Sequence, residues 1–394
     1  MNRRVDISMA TPSAAMAAPA AASWWLARAD QAAIDWDEVA RRLPFTADMQ
    51  ACIQDPTWHA EGDVWTHTMA VVEQLRRRRA RAGVGDGRWP GLFLATLLHD
   101  VAKPATRSEE VEADGRLRVH HYGHSRLGAL MAWEFLWRLG MPRPVREQVF
   151  HLVRWHQRPF HLTFTPTLER DVIMFSQVGD WRELLALAHA DNLGRIAPNI
   201  AETAAALDLL REEVAVRVCL DGPWLFPSDG ARVWYGRASG RSPWFNPPAP
   251  KGSHVIVTCG LPGAGKDAWC RKQFADWPQV SLDRLRESLD ITPDDNQGQV
   301  IQAAMEEARG HLRAKRRFVW NATNVSRLNR DKAIGLCLDY DAFVEIHAFD
   351  PQPERLFAQN RGRAAQVPQA VIERLIHKWE PPSILEAHRV VWVE

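Results

Sequence analysis

The sequence predicts a multidomain protein in which an all-α domain precedes an α/β domain with a parallel sheet. Three observations support this. The length of 394 residues corresponds to two or three domains of about 150 residues each. Residues 24–220 carry apolar positions at helical spacing, without a segment that alternates like a strand. Residues 252–394 alternate short apolar runs with amphipathic segments, which is typical of parallel strands joined by helices.

The composition is that of an ordinary globular protein, with 46% hydrophobic and 25% charged residues. No run reaches the roughly 18 apolar residues that a membrane helix needs, so no membrane partner is expected. The net charge of +1 comes from 42 Arg and 7 Lys set against 48 acidic residues. Any nucleic-acid contact must therefore use local Arg patches. The five Cys are scattered, without a Cys-x-x-Cys pair, which favours a reducing compartment and a cytoplasmic protein.

The predicted organisation has four segments. Residues 1–23 are rich in Ala, Ser, Pro and Met, and we expect a disordered tail, with a weak secretory signal as the alternative. Residues 24–220 form the helical domain. Residues 221–251 are rich in Gly, Pro, Ser and Trp, a composition that should break any helix and mark a connector whose aromatic residues pack against other parts of the protein. Residues 252–394 form the α/β domain.

A phosphate-binding loop opens the α/β domain. The apolar run 254–259 leads into Gly-Leu-Pro-Gly-Ala-Gly-Lys at 260–266. Between a strand and a helix, the backbone N–H groups of such a loop hold nucleotide phosphates. We expect Lys266 to face the β- and γ-phosphates of ATP or another NTP bound with Mg²⁺. The predicted cofactor-binding residues of the loop are Gly260, Gly263, Ala264, Gly265, Lys266 and Asp267. Asp267 replaces the usual magnesium-binding Ser or Thr, and Mg²⁺ is held either through water on Asp267 or mainly by phosphates.

Two further residues indicate which reaction the phosphate-binding loop supports. Val280, Ser281 and Leu282 read as the end of a second strand, which places Asp283 at the carboxyl edge of the sheet, where ligands bind in open α/β folds. Asp283 can accept a proton from a substrate hydroxyl there. Arg286, one helical turn further on, can hold a phosphate close to that hydroxyl. A helix cap and a surface charge are the alternatives for this pair.

Two later segments complete this predicted site. The buried strand that ends in Asn321 is followed by Ala322, Thr323 and Asn324, and because Asn321 is neutral, direct metal binding is not expected there. Arg361 and Arg363 precede Val367-Pro368 on a segment interrupted by Gly. They can close over the transferred phosphate; solvated surface arginines are the alternative.

These motifs resemble the kinase module of polynucleotide 5′-kinases. The resemblance rests on residues 260–266, Asp283-x-x-Arg286, residues 322–324 and the two lid arginines. It implies that Asp283 is the general base for a terminal 5′-OH and that Arg286 binds the acceptor phosphate. It also implies that Asn324 belongs to the nucleotide site and that Arg361 or Arg363 clamps the donor.

The helical domain contains an ordered set of histidines and aspartates. His99 and Asp100 follow the apolar helix 92–98, and both can turn to one metal ion. His67 lies on an earlier amphipathic helix, and Asp191 lies on a later one. Four N and O ligands of this kind favour a divalent ion such as Mn²⁺, Fe²⁺, Co²⁺, Ni²⁺ or Zn²⁺. Such an ion activates water for phosphoester hydrolysis.

This set resembles the HD phosphohydrolase superfamily across roughly residues 55–215. The resemblance implies an all-helical fold with His67, His99, Asp100 and Asp191 as metal ligands. His124 and His156 match positions that many such domains use for a second metal or for phosphate. His120, His121 and His151 are extra candidates, for which structural roles are favoured. Lys103 steadies a phosphate or forms a helix salt bridge.

A basic run lies at the end of the helix that carries His67. It consists of Arg76, Arg77, Arg78, Arg79 and Arg81. Such runs are usually solvated helix faces, but this one can also guide a phosphodiester strand.

The domain order as a whole resembles the bacterial HD-Pnk end-healing enzymes over about 330 residues. This implies a C-terminal ATP- or NTP-dependent kinase of 5′-OH RNA or DNA ends. It also implies an N-terminal hydrolase of 2′,3′-cyclic, 2′- or 3′-phosphate ends, which prepares them for a ligase. Two alternatives stay open: a small-molecule or mononucleotide kinase fused to a nucleotidase, and a nucleotide-sensing P-loop that gates the hydrolase.

Overall fold

The computed structural model describes residues 18–111, 113, 115, 117–292, 295–363 and 366–393. The chain divides into two compact units, of which the first ends at Trp224 and the second begins at Leu225. The division falls within the segment 221–251 that was predicted as a connector. No described helix is long and apolar enough to cross a membrane.

The first unit consists mainly of helices. Their bounds are α1 Ala18–Arg28, α2 Trp36–Arg42, α3 Thr46–Ala51, α4 Val64–Arg77, α5 Arg79–Ala82, α6 Trp89–Leu98, α7 Lys103–Thr106, α8 His124–Arg138, α9 Arg143–Trp155, α10 Pro159–Leu162, α11 Leu168–Ser176, α12 Trp181–Gly194 and α13 Ile200–Val216. Every residue of α6 except Pro90 is buried. α6 packs against α4 and α9, and α4 packs against α12. The core therefore surrounds α6, and the two residues that follow this helix emerge inside the domain.

The end of α12 approaches α4 closely. A Cβ added at Gly194 would lie 2.6 Å from Val71 Cγ2 and 2.9 Å from the Val71 backbone nitrogen. Real Cβ atoms do not approach backbone atoms this closely, so glycine is needed here. This contact brings Asp191 of α12 towards His67 of α4.

Two expectations for this unit were wrong. Residues 18–23 of the expected tail belong to α1, while residues 1–17 lie outside the described residues. An antiparallel hairpin of β1 Ser108–Val111 and β2 Leu117–His120 also interrupts the helices. All eight of its strand positions are exposed or half-buried, and several are charged. The hairpin therefore lacks the apolar alternation by which sequence patterns reveal a strand.

The second unit is built on a five-stranded parallel sheet in the order β4-β5-β3-β6-β7. Its elements are α14 Asp229–Arg237, β3 His254–Gly260, α15 Lys266–Gln273, β4 Gln279–Ser281, α16 Leu282–Leu289, α17 Gly298–Arg313, β5 Phe318–Asn321, α18 Arg327–Asp339, β6 Phe343–Phe349, α19 Pro353–Arg361, α20 Gln369–Ile376 and β7 Arg389–Val393. The predicted fold class of a helical region followed by a parallel α/β domain is confirmed. The central strand β3 is buried beyond His254 and delivers the phosphate loop to the carboxyl edge of the sheet.

The expectation that the segment 221–251 breaks any helix was wrong, because α14 lies within it. Ser228 caps this helix by accepting a hydrogen bond from the Ala231 N–H at 3.1 Å. Arg232 of α14 donates to the carbonyl oxygens of Ile384 and His388 at 3.0 and 2.8 Å. Local capping and these distant contacts outweigh the unfavourable composition.

Candidate active sites

Three helices of the first unit bring four predicted metal ligands together. His67 lies on α4, His99 and Asp100 follow α6, and Asp191 lies on α12. His67 Nε2 lies 3.2 Å from Asp191 Oδ1 and 3.7 Å from Asp100 Oδ2. His99 Nε2 lies 3.1 Å from the same Asp100 oxygen. All four side chains are buried, and the ligand atoms of His67, His99 and Asp100 lie within 4.8 Å of one another.

Asp100 also faces His124 and His156. Asp100 Oδ1 lies 3.4 Å from His124 Nε2 and 3.6 Å from His156 Nε2, and the two Nε2 atoms lie 3.1 Å apart. One carboxylate therefore presents Oδ2 to His67 and His99 and presents Oδ1 to the second pair of histidines. This arrangement suits two adjacent cations, or one cation with a phosphate beside it.

All four histidines are held through the ring nitrogen that points away from this centre. His99 Nδ1 lies 2.7 Å from the Thr96 carbonyl oxygen, which can only accept, so Nδ1 donates and Nε2 keeps the lone pair of the neutral ring. The other Nδ1 partners, at 2.7 to 2.8 Å, are Glu61 Oε1 for His67, His121 O for His124 and Val153 O for His156. His99 Nε2 is buried and makes no hydrogen bond of normal geometry within the described residues. These donors fit a divalent transition metal, which takes neutral imidazole nitrogens and carboxylate oxygens.

The protonation states at this centre favour cation binding. Burial lowers the pKa of His124 to about 3, so its ring is neutral near pH 7. Burial opposes ionisation of Asp100, but the neighbouring His99 and the positive charge of Lys103 hold the pKa of this carboxyl well below its usual range. Asp100 is therefore ionised near pH 7.

Lys103 forms the salt bridge that was one of its two predicted roles. Its Nζ lies 2.7 Å from Asp100 Oδ2 and donates to Gln54 Oε1, also at 2.7 Å. The side chain also lines the cavity beside the centre, where a phosphate would enter. A role in catalysis stays a prediction.

Glu61 is a site residue that sequence reasoning missed. Its Oε1 lies 2.8 Å from both His67 Nδ1 and His59 Nδ1. These hydrogen bonds hold the pKa of Glu61 well below its usual range, although burial acts the other way. Glu61 thus orients His67. The available signal was weak, consisting of His59 and Glu61 in the polar loop before the α4 cap residue Asp63.

A cavity of about 520 Å³ adjoins the metal-ligand cluster. Asp191 and His124 form part of its wall, together with Lys103 and Arg195. Tyr122 is 76% exposed and stacks on His120, with ring centroids 4.9 Å apart. The cavity thus combines cationic groups for a phosphate with an accessible aromatic ring. Of the other histidines considered as extra site candidates, His121 lies in the wall of this cavity. His151 packs against the ring of Phe150.

In the second unit, residues 260–266 form the predicted turn between β3 and α15. Gly263 and Gly265 have φ angles of +84° and +94°, which other residues rarely adopt. Lys266 Nζ donates to the carbonyl oxygens of Gly260 and Leu261 at 2.9 and 2.8 Å. Burial lowers the pKa of Lys266 to about 8, while the carboxylates of Asp267 and Asp283 act to raise it. The remaining predicted loop residue, Ala264, is buried.

Asp283 lies in the first turn of α16, directly after β4, as the sequence predicted. Its side chain is 75% exposed and pairs with Arg286, whose Nε also donates to Gln297 Oε1 at 2.7 Å. The structure therefore brings the predicted base and the predicted phosphate-binding residue together at the open edge of the sheet.

The other predicted nucleotide-site residues differ in their surroundings. Arg363 Nη2 lies 4.0 Å from Asp267 Oδ2, whereas Arg361 is exposed at the end of α19. Asn321 Nδ2 donates to Asp267 Oδ1 at 2.8 Å. Asn324 is buried, and its Nδ2 donates to the Thr258 carbonyl oxygen at 2.9 Å. This contact ties Asn324 to β3, and its role in nucleotide binding stays a prediction.

The basic run separates into paired and unpaired arginines. Arg76 pairs with Glu73, and Arg79 pairs with Asp30 and Asp86. Arg78 and Arg81 instead line a cavity of about 320 Å³ together with Arg182, His189 and Arg211. Within the described part of the chain, the guanidinium groups of Arg78, Arg81 and Arg211 make no hydrogen bond or ion pair.

Two family models match this chain, one in each unit. The HD domain model matches residues 64–196, and the AAA domain model matches residues 255–382. The chain joins an HD domain to a P-loop kinase-like domain. This confirms the predicted domain order.

Curated relatives share only part of this chain. A multifunctional CCA protein of Pasteurella multocida is 25% identical over 159 residues, which are 39% of this chain and 35% of the relative. An A-adding tRNA nucleotidyltransferase of Deinococcus radiodurans is 37% identical over 114 residues, 29% of this chain and 24% of the relative. A CC-adding tRNA nucleotidyltransferase of Thermus thermophilus is 39% identical over 92 residues, 23% of this chain and 19% of the relative. The chain therefore spans about a third or less of the length of these relatives.

Proposed function

We propose that the protein is a bifunctional nucleic-acid end-healing enzyme. The P-loop kinase-like domain phosphorylates 5′-OH ends of RNA or DNA with ATP or another NTP. The HD domain hydrolyses 2′,3′-cyclic phosphate or 2′- or 3′-phosphate ends. The observation that carries this proposal is the pairing, in one chain, of a buried His/Asp cluster with a P-loop that has Asp283 and Arg286 at the same sheet edge. A nucleotide sensor needs neither of the last two residues.

In the kinase half, the P-loop N–H groups and Lys266 hold the β- and γ-phosphates. Asp283 accepts the proton of the 5′-hydroxyl as its oxygen bonds to the γ-phosphorus. The bond from the γ-phosphorus to the β–γ bridging oxygen then breaks, and the nucleoside diphosphate leaves. Arg286 positions the acceptor phosphate, and Arg361 and Arg363 stabilise the negative charge on the transferred group.

In the hydrolase half, His67, His99, Asp100 and Asp191 hold a divalent ion such as Mn²⁺, Fe²⁺, Co²⁺, Ni²⁺ or Zn²⁺. An ion held by these residues would acidify a water molecule and withdraw charge from a phosphoryl oxygen. His124 and His156, with Asp100 Oδ1, hold a second ion or the phosphate. Lys103 and Arg195 add positive charge to the wall of the cavity, and Tyr122 offers a stacking surface to a terminal base.

Two further observations support a nucleic-acid substrate over a small molecule. Arg78, Arg81 and Arg211 beside the 320 Å³ cavity have no ion-pair partner among the described residues, in a chain whose net charge is only +1. Relatives include tRNA nucleotidyltransferases, whose names point to RNA. A 5′-phosphate and, once the terminal phosphate has been removed, a 3′-hydroxyl are the ends that a ligase joins, which makes a cytoplasmic ligase the expected downstream partner.

The kinase proposal is tested by incubation of the protein with γ-labelled ATP, Mg²⁺ and a short 5′-OH oligonucleotide. We expect label on the strand, and loss of this transfer in Lys266→Ala. A free nucleoside that outcompetes the oligonucleotide as acceptor would instead favour a mononucleotide kinase fused to a nucleotidase. ATP turnover that needs no acceptor and alters phosphoester hydrolysis would favour a nucleotide sensor.

A further inference from the structure

We propose that the acidic and the neutral residue that position Mg²⁺ have exchanged places in this P-loop domain. Asp267 is the carboxylate that holds Mg²⁺, and Asn321 is the neutral residue that orients Asp267. In P-loop enzymes, Mg²⁺ is usually held by a Ser or Thr directly after the P-loop Lys and by an Asp at the end of a neighbouring strand. In this chain the residue after Lys266 is Asp267, and the strand β5, which neighbours β3, ends in Asn321. The inference rests on nucleotide binding at the P-loop and is independent of the acceptor.

The two side chains are in direct contact. Asn321 Nδ2 donates to Asp267 Oδ1 at 2.8 Å. Asn321 is buried, and its Oδ1 lies 3.4 Å from Thr258 Oγ1 of β3. The amide is therefore held by the sheet and fixes one oxygen of the Asp267 carboxylate.

Asp267 keeps an accessible oxygen for a cation. Its side chain is 44% exposed, and Asp267 Oδ2 lies 4.0 Å from Arg363 Nη2, beyond hydrogen-bond distance. Asp267 also lies in the first turn of α15, directly after the P-loop lysine Lys266. Mg²⁺ binds through one or two carboxylates together with substrate phosphates, so one such oxygen at this place is sufficient.

The charge of the pair is conserved by the exchange. A hydroxyl with a strand carboxylate carries one negative charge, and Asp267 with Asn321 carries one as well. The same cation can thus be balanced while the negative charge has moved from the strand to the loop. A purely structural role for Asp267, as an acidic residue in the first turn of a helix, would stabilise α15 but would not depend on Mg²⁺.

The test compares Asp267→Ser, Asn321→Asp and the double variant. The affinity of each full-length protein for a fluorescent ADP analogue is measured in Mg²⁺ and in EDTA, with circular dichroism to confirm folding. We expect Asp267→Ser to lose about tenfold or more of the affinity gained from Mg²⁺, while its affinity in EDTA is unchanged or higher. The double variant, which restores the usual residue types, should regain most of that gain.

A second readout uses Mn²⁺ in place of Mg²⁺. The electron paramagnetic resonance spectrum of Mn²⁺-ADP on the protein should change in Asp267→Ser and return towards the wild-type spectrum in the double variant. Folded Asp267→Ser with an unchanged gain from Mg²⁺ and an unchanged Mn²⁺ spectrum would overturn the proposal, as would a double variant no better than Asp267→Ser. Because neither readout includes an acceptor, a failed end-healing proposal would leave this result unaffected.

Discussion

The metal-ligand cluster of the HD domain and the nucleotide site of the P-loop domain are organised in different ways. In the first, His67 and His99 are completely buried, and the Nδ1 atom of each ring has a close partner, Glu61 Oε1 for His67 and the Thr96 carbonyl oxygen for His99. In the second, Asp283 is largely exposed and pairs with Arg286, and Lys266 donates to the loop backbone. Packing thus fixes the His and Asp cluster of the HD domain, whereas Lys266 and Arg286 already have partners that they would exchange for phosphates under the proposed function.

Loss of the shared carboxylate should have the largest effect. Asp100→Asn leaves one neutral oxygen that cannot serve both histidine pairs, so phosphoesterase activity should fall by about 10³-fold or more, since metal charge stabilisation is worth several kcal/mol. Hydrolysis of a 2′,3′-cyclic phosphate end measures this effect. Kinase activity in the same preparation should be unchanged and is the internal control. Full hydrolase activity would remove Asp100 from the centre.

Loss of the exposed base should have the next largest effect, confined to the other domain. Asp283→Asn should lower 5′ phosphorylation by about 10² to 10⁴-fold, the usual contribution of a general base, without a change in phosphoesterase activity. Label transfer from γ-labelled ATP measures it. Asp290→Asn, at the end of the same helix, is a matched control that should keep wild-type activity. Retained kinase activity in Asp283→Asn would contradict the assignment of the base.

Glu61 tests whether the HD cluster is fixed by its surroundings. Glu61→Gln removes the carboxylate that orients His67, and such partners are typically worth about 10 to 100-fold in metal affinity. Titration with Mn²⁺ or Co²⁺, followed by metal analysis, measures the change. Glu109→Gln on the exposed hairpin controls for the loss of one negative charge. Equal metal affinity in both variants would mean that the cluster does not depend on this anchor.

Removal of one arginine from the wall of the 320 Å³ cavity should have the smallest effect of the four changes. Arg78→Ala removes one unpaired guanidinium group, so the slope of log affinity against log salt concentration should fall by about 0.7 for a single strand. Fluorescence anisotropy of a labelled oligonucleotide at several salt concentrations measures it. Arg77→Ala, an exposed neighbour that does not line the cavity, should leave the slope unchanged. Identical slopes in both variants would place the strand elsewhere.

Sequence reasoning predicted those features whose signal lies within one short segment of the chain. The strand-loop-helix of residues 260–266 and the apolar helix before His99 each carry their signal within about ten residues, and both are present. Glu61, Tyr122 and Arg211 were missed because their importance arises only when distant helices and loops meet. The β1–β2 hairpin was missed because its exposed strands lack an apolar pattern. Asn324 occupies a position of the predicted nucleotide-binding motif, but its side chain donates a hydrogen bond to the Thr258 carbonyl oxygen of β3. The sequence pattern alone did not reveal this contact.

The most direct test of the account uses a single oligonucleotide that carries a 5′-hydroxyl and a 2′,3′-cyclic phosphate. Mass spectrometry after incubation with ATP, Mg²⁺ and Mn²⁺ reports both ends of the same strand. We predict a 5′-phosphate and an opened or removed 3′-terminal phosphate with the wild-type protein, loss of only the first change in Lys266→Ala, and loss of only the second in Asp100→Asn. A strand left unchanged at both ends, while ATP and small phosphoesters are consumed, would contradict the end-healing function.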